Sequence, residues 1–244
     1  MHRIYCPQND FQQEVLITNK NELHHLRNVL RFKKNDAVQL FNGKDREALG
    51  IIHEISPTNT TVKITEVRSF VPSAPVIVLA CALPKRGKFE TIIEKTTELG
   101  VDEIIPLATH RSEVRLKEGD RLLAKMRRFE TVAINAAKQC KRTRLPYLHP
   151  LTDFRGTVDQ LSADSKILVA SLATDRQPLA KILPTIAKES RLSLLIGPEG
   201  DLTKEEQEYA LMKGATPISL GKNVLKVETA AIAAVSFIRL YFSS

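Results

Sequence analysis

Residues 191–242 read RLSLLIGPEGDLTKEEQEYALMKGATPISLGKNVLKVETAAIAAVSFIRLYF. An apolar run of strand length, RLSLLIG (191–197), ends at Gly197-Pro198. A helix, KEEQEYALMKG (204–214), follows and stops at Gly214. A short strand, PISLG (217–221), then leads through a loop into a long helix, ETAAIAAVSFIRLYF (228–242). Strand and helix alternate with no hairpin turn between the strands, which predicts parallel pairing. The strands are continuously apolar, which predicts a sheet covered by helices on both faces.

The same texture extends upstream. VIVLACAL (76–83) reads as a buried strand, FETIIEKTTEL (89–99) as an amphipathic helix capped by Gly100, and DEIIPL (102–107) as a strand. KILVASL (166–172) is a further strand, and PLAKILPTIA (178–187) a helix weakened by Pro184. The texture changes at SFVPSAP (69–75), where two prolines and small residues mark a boundary. Before it come short strands, RIYC (3–6), EVLI (14–17), AVQLF (37–41), EALGIIHEI (47–55) and TVKITEV (61–67), with a turn signal at Asn42-Gly43. One helix, NELHHLRNVL (21–30), interrupts them. The expectation is a small β-barrel domain over 1–70 and an α/β domain over 75–244.

Composition narrows the class. The chain has 244 residues, 43% hydrophobic and 26% charged, the profile of a globular protein. No apolar run reaches the ~18 residues that span a membrane, and MHRIYCPQND lacks a signal-peptide core. Cys6, Cys81 and Cys140 are odd in number and widely spaced, which fits a reducing cytoplasm and neither a disulfide framework nor a zinc site. The six histidines form no ligand pair, so no metal is expected. Net charge is +8, of which +6 falls within residues 85–144 (15 basic against 9 acidic). Arg121, Lys125 and Arg128 lie at i, i+4, i+7 on one face of a helix, opposite Leu122, Met126, Phe129 and Ala133. KQCKRTR (138–144) adds to them, and such clustering suits a phosphate backbone.

The common nucleotide and hydrolase signatures are missing. There is no GxxxxGK[ST] loop, no GxSxG elbow, and CALPKRGK stands where a GxGxxG would follow the first strand of the second domain. Two late segments remain, LLIGPEGDLT (194–203) and SLGKNVLKVETAA (219–231), each a glycine-containing loop at the C-terminal end of a parallel strand. Open α/β sheets bind their ligands there. Taken alone, IGPEG (196–200) reads as a plain strand-to-helix turn.

Together they carry a resemblance. GPEG followed by LGxxxLxxETA resembles the cofactor-binding end of the SPOUT methyltransferases, and within them the ribosomal RNA small subunit methyltransferase E family. HHLRNVLR (24–31), PKRGKFETIIEKTTELGVDEIIPL (84–107), HRS (110–112), AAKQCKR (136–142) and LP (145–146) are similar to further motifs of that family, so the likeness spans nearly the whole chain. The chain departs from the pattern at Asp201, where a glycine is usual, at Lys226-Val227, where Arg-Thr is usual, and at Lys138, where an acidic residue is usual.

The resemblance implies a trefoil-knotted α/β domain preceded by a PUA-like, OB-type barrel. It implies S-adenosylmethionine as methyl donor, no metal, N3 of a uridine in 16S rRNA of the small ribosomal subunit as target, a cytoplasmic location and a homodimer. It places the cofactor on Leu172, Gly197, Pro198, Glu199, Gly200, Leu220, Gly221, Asn223, Val224, Leu225 and Lys226. The candidate RNA contacts are Arg3, Arg27 and Arg31 from the barrel and Lys85, Lys88, Arg111 and Arg142 beyond it. Glu199 is the candidate proton acceptor, and Arg111 the candidate stabiliser of a uracil anion. The alternatives are a related enzyme for tRNA or 23S rRNA, and a non-catalytic RNA-binding factor.

Overall fold

The computed structural model describes residues 2–7, 10–84, 87–112, 119–172, 175–187 and 191–243. The chain divides into two compact units, Met1–Pro72 with Ala137–Leu145, and Ser73–Ala136 with Pro146–Ser244.

In the first unit, β1 (Arg3–Tyr5), β2 (Glu14–Ile17), β3 (Ala37–Phe41), β4 (Arg46–Ile55) and β5 (Thr60–Ser69) form one sheet in the order β1-β3-β4-β5-β2. Only β1 and β3 run parallel. The two-residue period sends Val15 and Ile17 inward and Glu14 and Leu16 outward. They meet Ile4, Leu23, Leu26, Val38, Leu40, Ile52 and Val62 in one core. Register shifts at Leu49/Gly50 and Ile52/Glu54 bend the long β4–β5 ribbon. Gly50 is required there, because a Cβ would lie 2.5 Å from Val62 Cγ1 and 2.8 Å from the Lys63 carbonyl. Asn42 Oδ1 accepts from the amides of Lys44, Asp45 and Arg46 and so closes the turn before β4. The expected helix over 21–30 is α1 (Lys20–His24), capped by Asn19, which runs into a π-type turn, His25–Val29.

The second unit contains β6 (Val76–Ala82), α2 (Lys88–Glu98), β7 (Glu103–Ala108), α3 (Asp120–Cys140), β8 (Tyr147–Leu148), β9 (Thr152–Asp153), α4 (Phe154–Ser162), β10 (Lys166–Ala170), β11 (Gln177–Pro178), α5 (Leu179–Ile182), β12 (Arg191–Ile196), α6 (Lys204–Met212), β13 (Thr216–Ser219) and α7 (Val227–Phe242). The last turn of α3 belongs to the first unit. The sheet runs β11-β13-β10-β12-β6-β7-β8, with β9 also on β7, and every pairing is parallel. Alternate residues of β6 face opposite layers. Ile77, Leu79 and Cys81 pack with Phe89, Ile92 and Ile93 of α2 and Ala231, Val235 and Ile238 of α7. Val78 and Ala80 pack with Phe154, Val158 and Leu161 of α4 and Ala210 of α6. Fully burying aliphatic side chains of this size contributes roughly 1.5–3 kcal/mol each.

Three features depart from the expectations. Helix α4 was not anticipated, although Asp153 caps it and Phe154, Val158 and Leu161 lie at i, i+4, i+7. The helix expected over 178–187 is one α-turn, α5, followed by a 3-10 turn, Leu183–Thr185, because Pro184 cannot continue the ladder. Residues 137–145, placed by the sequence reading in the second domain, cluster with the first unit.

The N-terminal edge of the large sheet is pinned by charge. Arg239 of α7 donates to Asp102 (2.9 Å) and to the carbonyls of Gly100 and Pro75. Asp102 also accepts from the Ile77 amide at 2.9 Å. Glu103 holds Arg191 through two bonds, of 2.6 and 2.8 Å, and lies 2.8 Å from His149. His149 first and Arg191 next outweigh partial burial and pull the Glu103 carboxyl down to about 2.

Candidate functional site

The C-terminal edge of the same sheet is built differently. An open cleft lies across the ends of three adjacent strands, β13, β10 and β12. Its walls are Ala170, Ser171, Leu172 and Arg176 at and beyond the end of β10, Ile196 to Glu199 and Asp201 at and beyond the end of β12, and Ile218 to Gly221 and Asn223 to Leu225 at and beyond the end of β13. Val227 and Ala230 of α7 form part of it. Its mainly apolar lining suits a small organic ligand held by few polar groups.

The β12 wall is firmly set. Gly197 sits tightly against the turn: a Cβ there would lie 3.1 Å from Leu202 Cγ and 3.2 Å from its amide nitrogen, so Leu202 would have to give by a few tenths of an ångström. The Asp201 amide donates to the Pro198 carbonyl at 2.9 Å and closes the turn. Asp201 adopts the left-handed conformation (φ 59°) that a glycine would take without strain. It holds that conformation while Oδ1 accepts from the Leu202 amide at 2.8 Å and Oδ2 from Gln207 at 3.2 Å. Thr203 and Glu206 form a capping box at the start of α6. Glu206 also accepts from the His110 amide at 2.9 Å, and Arg111 Nη1 donates to the carbonyls of Gly200 and Leu202. The HRS segment therefore braces the GPEG turn from outside the cleft.

The β13 wall has fewer bonds. Ser219 Oγ accepts from the Gly221 amide (3.2 Å) and donates to its carbonyl (3.0 Å). Gly221 has φ 132° with open space around it, and Val224 is 75% exposed.

Nine of the eleven expected cofactor residues line the cleft: Leu172, Gly197, Pro198, Glu199, Leu220, Gly221, Asn223, Val224 and Leu225. Gly200 and Lys226 do not, being the exposed corner of the turn and the exposed N-cap of α7. Of the two candidate catalytic residues, Glu199 lines the cleft and Arg111 lies behind its wall. Sequence reasoning missed Ser171, Arg176, Ser219, Asp201, Val227 and Ala230. The strand-end rule applied to every strand would have found the two serines. No local pattern marks Arg176.

The candidate RNA residues separate. Arg27 and Arg31 are exposed on the first unit, and Arg142 is half-buried. Lys85 lies outside the described residues. Lys88 pairs with Glu228 at 3.1 Å, joining the starts of α2 and α7. Burial opposes the charge on Glu228, yet its own backbone amide and Lys88 hold the carboxyl below its ordinary value. The Arg3 expectation is corrected. Its side chain is 1% exposed and pairs with Glu47 at 3.0 Å. It donates to Thr143 Oγ1 and to the carbonyls of Ala137 and Arg142, and it lies over the Phe41 ring at 4.5 Å. A guanidinium so enclosed has no face left for a phosphate. Lys138, an unusual cation in the resembled pattern, pairs with the buried Glu22. On α3, Arg128 pairs with Glu90, Arg121 is exposed, and Phe129 and Ala133 are buried as the periodicity predicts.

Among the described residues no group of three or more His, Cys, Asp or Glu side chains could hold a metal ion. Among the same residues no helix is long and apolar enough to cross a membrane.

Comparison with known proteins gives two family matches, an RNA methyltransferase domain over residues 72–239 and an RNA methyltransferase PUA domain over residues 17–65. The ribosomal RNA small subunit methyltransferase E of Rickettsia conorii is 29% identical over 229 residues, 93% of this chain and 90% of that protein. The Bacillus subtilis protein of the same name is 29% identical, covering 89% and 86%. The Neisseria gonorrhoeae ribosomal RNA small subunit methyltransferase E, solved with S-adenosyl methionine bound, superposes with a TM-score of 0.87 at 26% identity, covering 99% and 98%. A Legionella pneumophila protein in complex with SAM gives 0.87 at 29%, covering 98% and 97%.

Proposed function

The chain belongs to the RNA methyltransferase family whose domain occupies residues 72–239, and from that premise we propose that it methylates N3 of a uridine in 16S rRNA of the small ribosomal subunit, with S-adenosylmethionine as donor. The observation that carries this reading is the cleft across β13, β10 and β12, made by the GPEG turn and the 220–225 loop. The named relatives and the S-adenosyl methionine-bound neighbour support it.

The residues present fit that donor. The glycine-cradled turn lets backbone approach a ligand closely, and the apolar lining suits a nucleoside. Gly197, Pro198, Leu220, Asn223, Val224 and Leu225 would hold it. When bound, it supplies an electrophilic methyl group on a sulfonium.

Uridine N3 carries a proton that must leave for the nitrogen to become nucleophilic. Glu199, a carboxylate that lines the cleft, is the proposed acceptor. Arg111 acts by fixing the turn that carries Glu199. The Watson–Crick edge holds N3, so the uridine must be unpaired or flipped out. Arg27, Arg31 and Arg142 are the proposed RNA contacts, read through backbone and shape.

A homodimer and a cytoplasmic site of action belong to the same proposal. Phe237, Leu240 and Tyr241 on α7, 42%, 66% and 40% exposed, form an apolar strip suited to a second copy. The trefoil knot is proposed with them. It is supported by α7 crossing back to β12 and β6 at the middle of the sheet after leaving β13 near its edge.

The test is methyl transfer from labelled S-adenosylmethionine to unmodified small subunits, free 16S rRNA and bulk tRNA, followed by nucleoside mass spectrometry. N3-methyluridine in a ribosomal substrate is the expected product. Label in tRNA, another methylated nucleoside, or no label at all would overturn the assignment.

A further inference from the structure

Among the described residues that line the cleft, three carry charge: Arg176, Glu199 and Asp201. Asp201 is tied into its own turn by both carboxylate oxygens. Arg176 is the single cation. It is half-buried, and its Nη1 donates to the Ser171 carbonyl at 3.0 Å. That bond returns the side chain to the end of β10 and fixes its direction. No carboxylate among the described residues pairs with it, and the rest of its planar fork has no partner there. A partly desolvated guanidinium without a counter-charge favours a ligand that brings one. The fork matches a carboxylate through two parallel N–H donors.

The geometry points to Arg176 as the residue that recognises the carboxylate of the amino-acid end of S-adenosylmethionine, an assignment that rests on the function proposed above. Arg176 is thus a specificity residue. It separates a donor with an intact amino-acid end from adenosine derivatives that lack the carboxylate. Because the loop bond already orients the side chain, little ordering remains to oppose binding.

The experiment measures dissociation constants by calorimetry on the full chain. The ligands are S-adenosylmethionine, its decarboxylated form, which keeps both positive charges, and methylthioadenosine, which lacks the amino-acid end. The wild type is expected to prefer S-adenosylmethionine over the decarboxylated form by about tenfold, the scale of one charge-assisted contact. Arg176→Met levels that preference and leaves methylthioadenosine within about twofold, while Arg176→Lys keeps part of it. A wild type without the preference, or an Arg176→Met variant that retains it, overturns the assignment. So does equal weakening of all three ligands in both folded variants, which would make Arg176 a loop brace. If the wild type binds none of the three, the donor itself is wrong, and both readings fall together.

Discussion

The two edges of the large parallel sheet are made of the same strands and built on opposite terms. At the N-terminal edge, Asp102, Glu103, His149, Arg191 and Arg239 are paired with one another and largely withdrawn from water. At the C-terminal edge, glycines, backbone groups and exposed side chains face an open cleft. Charge holds the first edge shut, whereas the second is left for a ligand. The separation frees the ligand edge from supplying stability, so its sequence is constrained by the turn geometry and by the molecule it accepts.

The largest effect expected from breaking this division is at Arg239. Arg239→Met leaves Asp102 buried without its cation, a loss of about 3–5 kcal/mol, or roughly 10 °C in thermal midpoint for a chain of this size. Cofactor affinity should hold within about twofold at temperatures where the variant is folded. A large change in affinity with little change in midpoint would show that the two edges are not separable.

The next effect depends on pH. The Glu103 carboxyl sits at about 2 in the fold, below the ordinary carboxylate range, so its stabilisation is present above that range and is lost as pH falls towards 2. Glu103→Gln should be about 2 kcal/mol less stable than the wild type at neutral pH. The gap should close progressively between pH 4 and 2 in denaturant titrations. A gap that stays constant with pH would mean that packing, and not the charge, is what the glutamate contributes.

The smallest effect on stability is expected at the cleft. Arg111→Ala removes two bonds to the GPEG turn from an exposed side chain, and should lower the midpoint by no more than about 2 °C. Affinity for S-adenosylmethionine should fall about tenfold, because the turn is no longer held in its binding shape. Unchanged affinity in calorimetry would show that the turn stands without its brace.

Much of this arrangement was legible in the sequence because it is local. Strand-length apolar runs, Gly100 after α2 and the Pro184 break report on their own neighbours. The two glycine-containing loops at strand ends mark two walls of the cleft. Helix α4 escaped because Gly156 and Thr157 have weak helix propensity, and burial of Phe154, Val158 and Leu161 decides the matter. Arg3 was misplaced because nothing near it in sequence distinguishes a buried arginine from an exposed one. Its partners are Glu47, Ala137, Arg142 and Thr143, and all but Glu47 lie more than 130 positions away. Arg176 was overlooked for a different reason: its place in the cleft comes from a bond back to Ser171, five positions away, which no sequence pattern announces.

The membership of residues 137–145 in the first unit has a consequence for how the protein is born. The five strands leave the ribosome early, but the guanidinium of Arg3 waits for Thr143 and for the Ala137 and Arg142 carbonyls until the Ser73–Ala136 part of the second unit has been made. Until then Glu47 is the one of its hydrogen-bonding partners already present, beside the Phe41 ring. A piece ending at Pro72 is therefore an unfinished domain, and synthesis itself delays the moment when the N-terminal sheet becomes rigid.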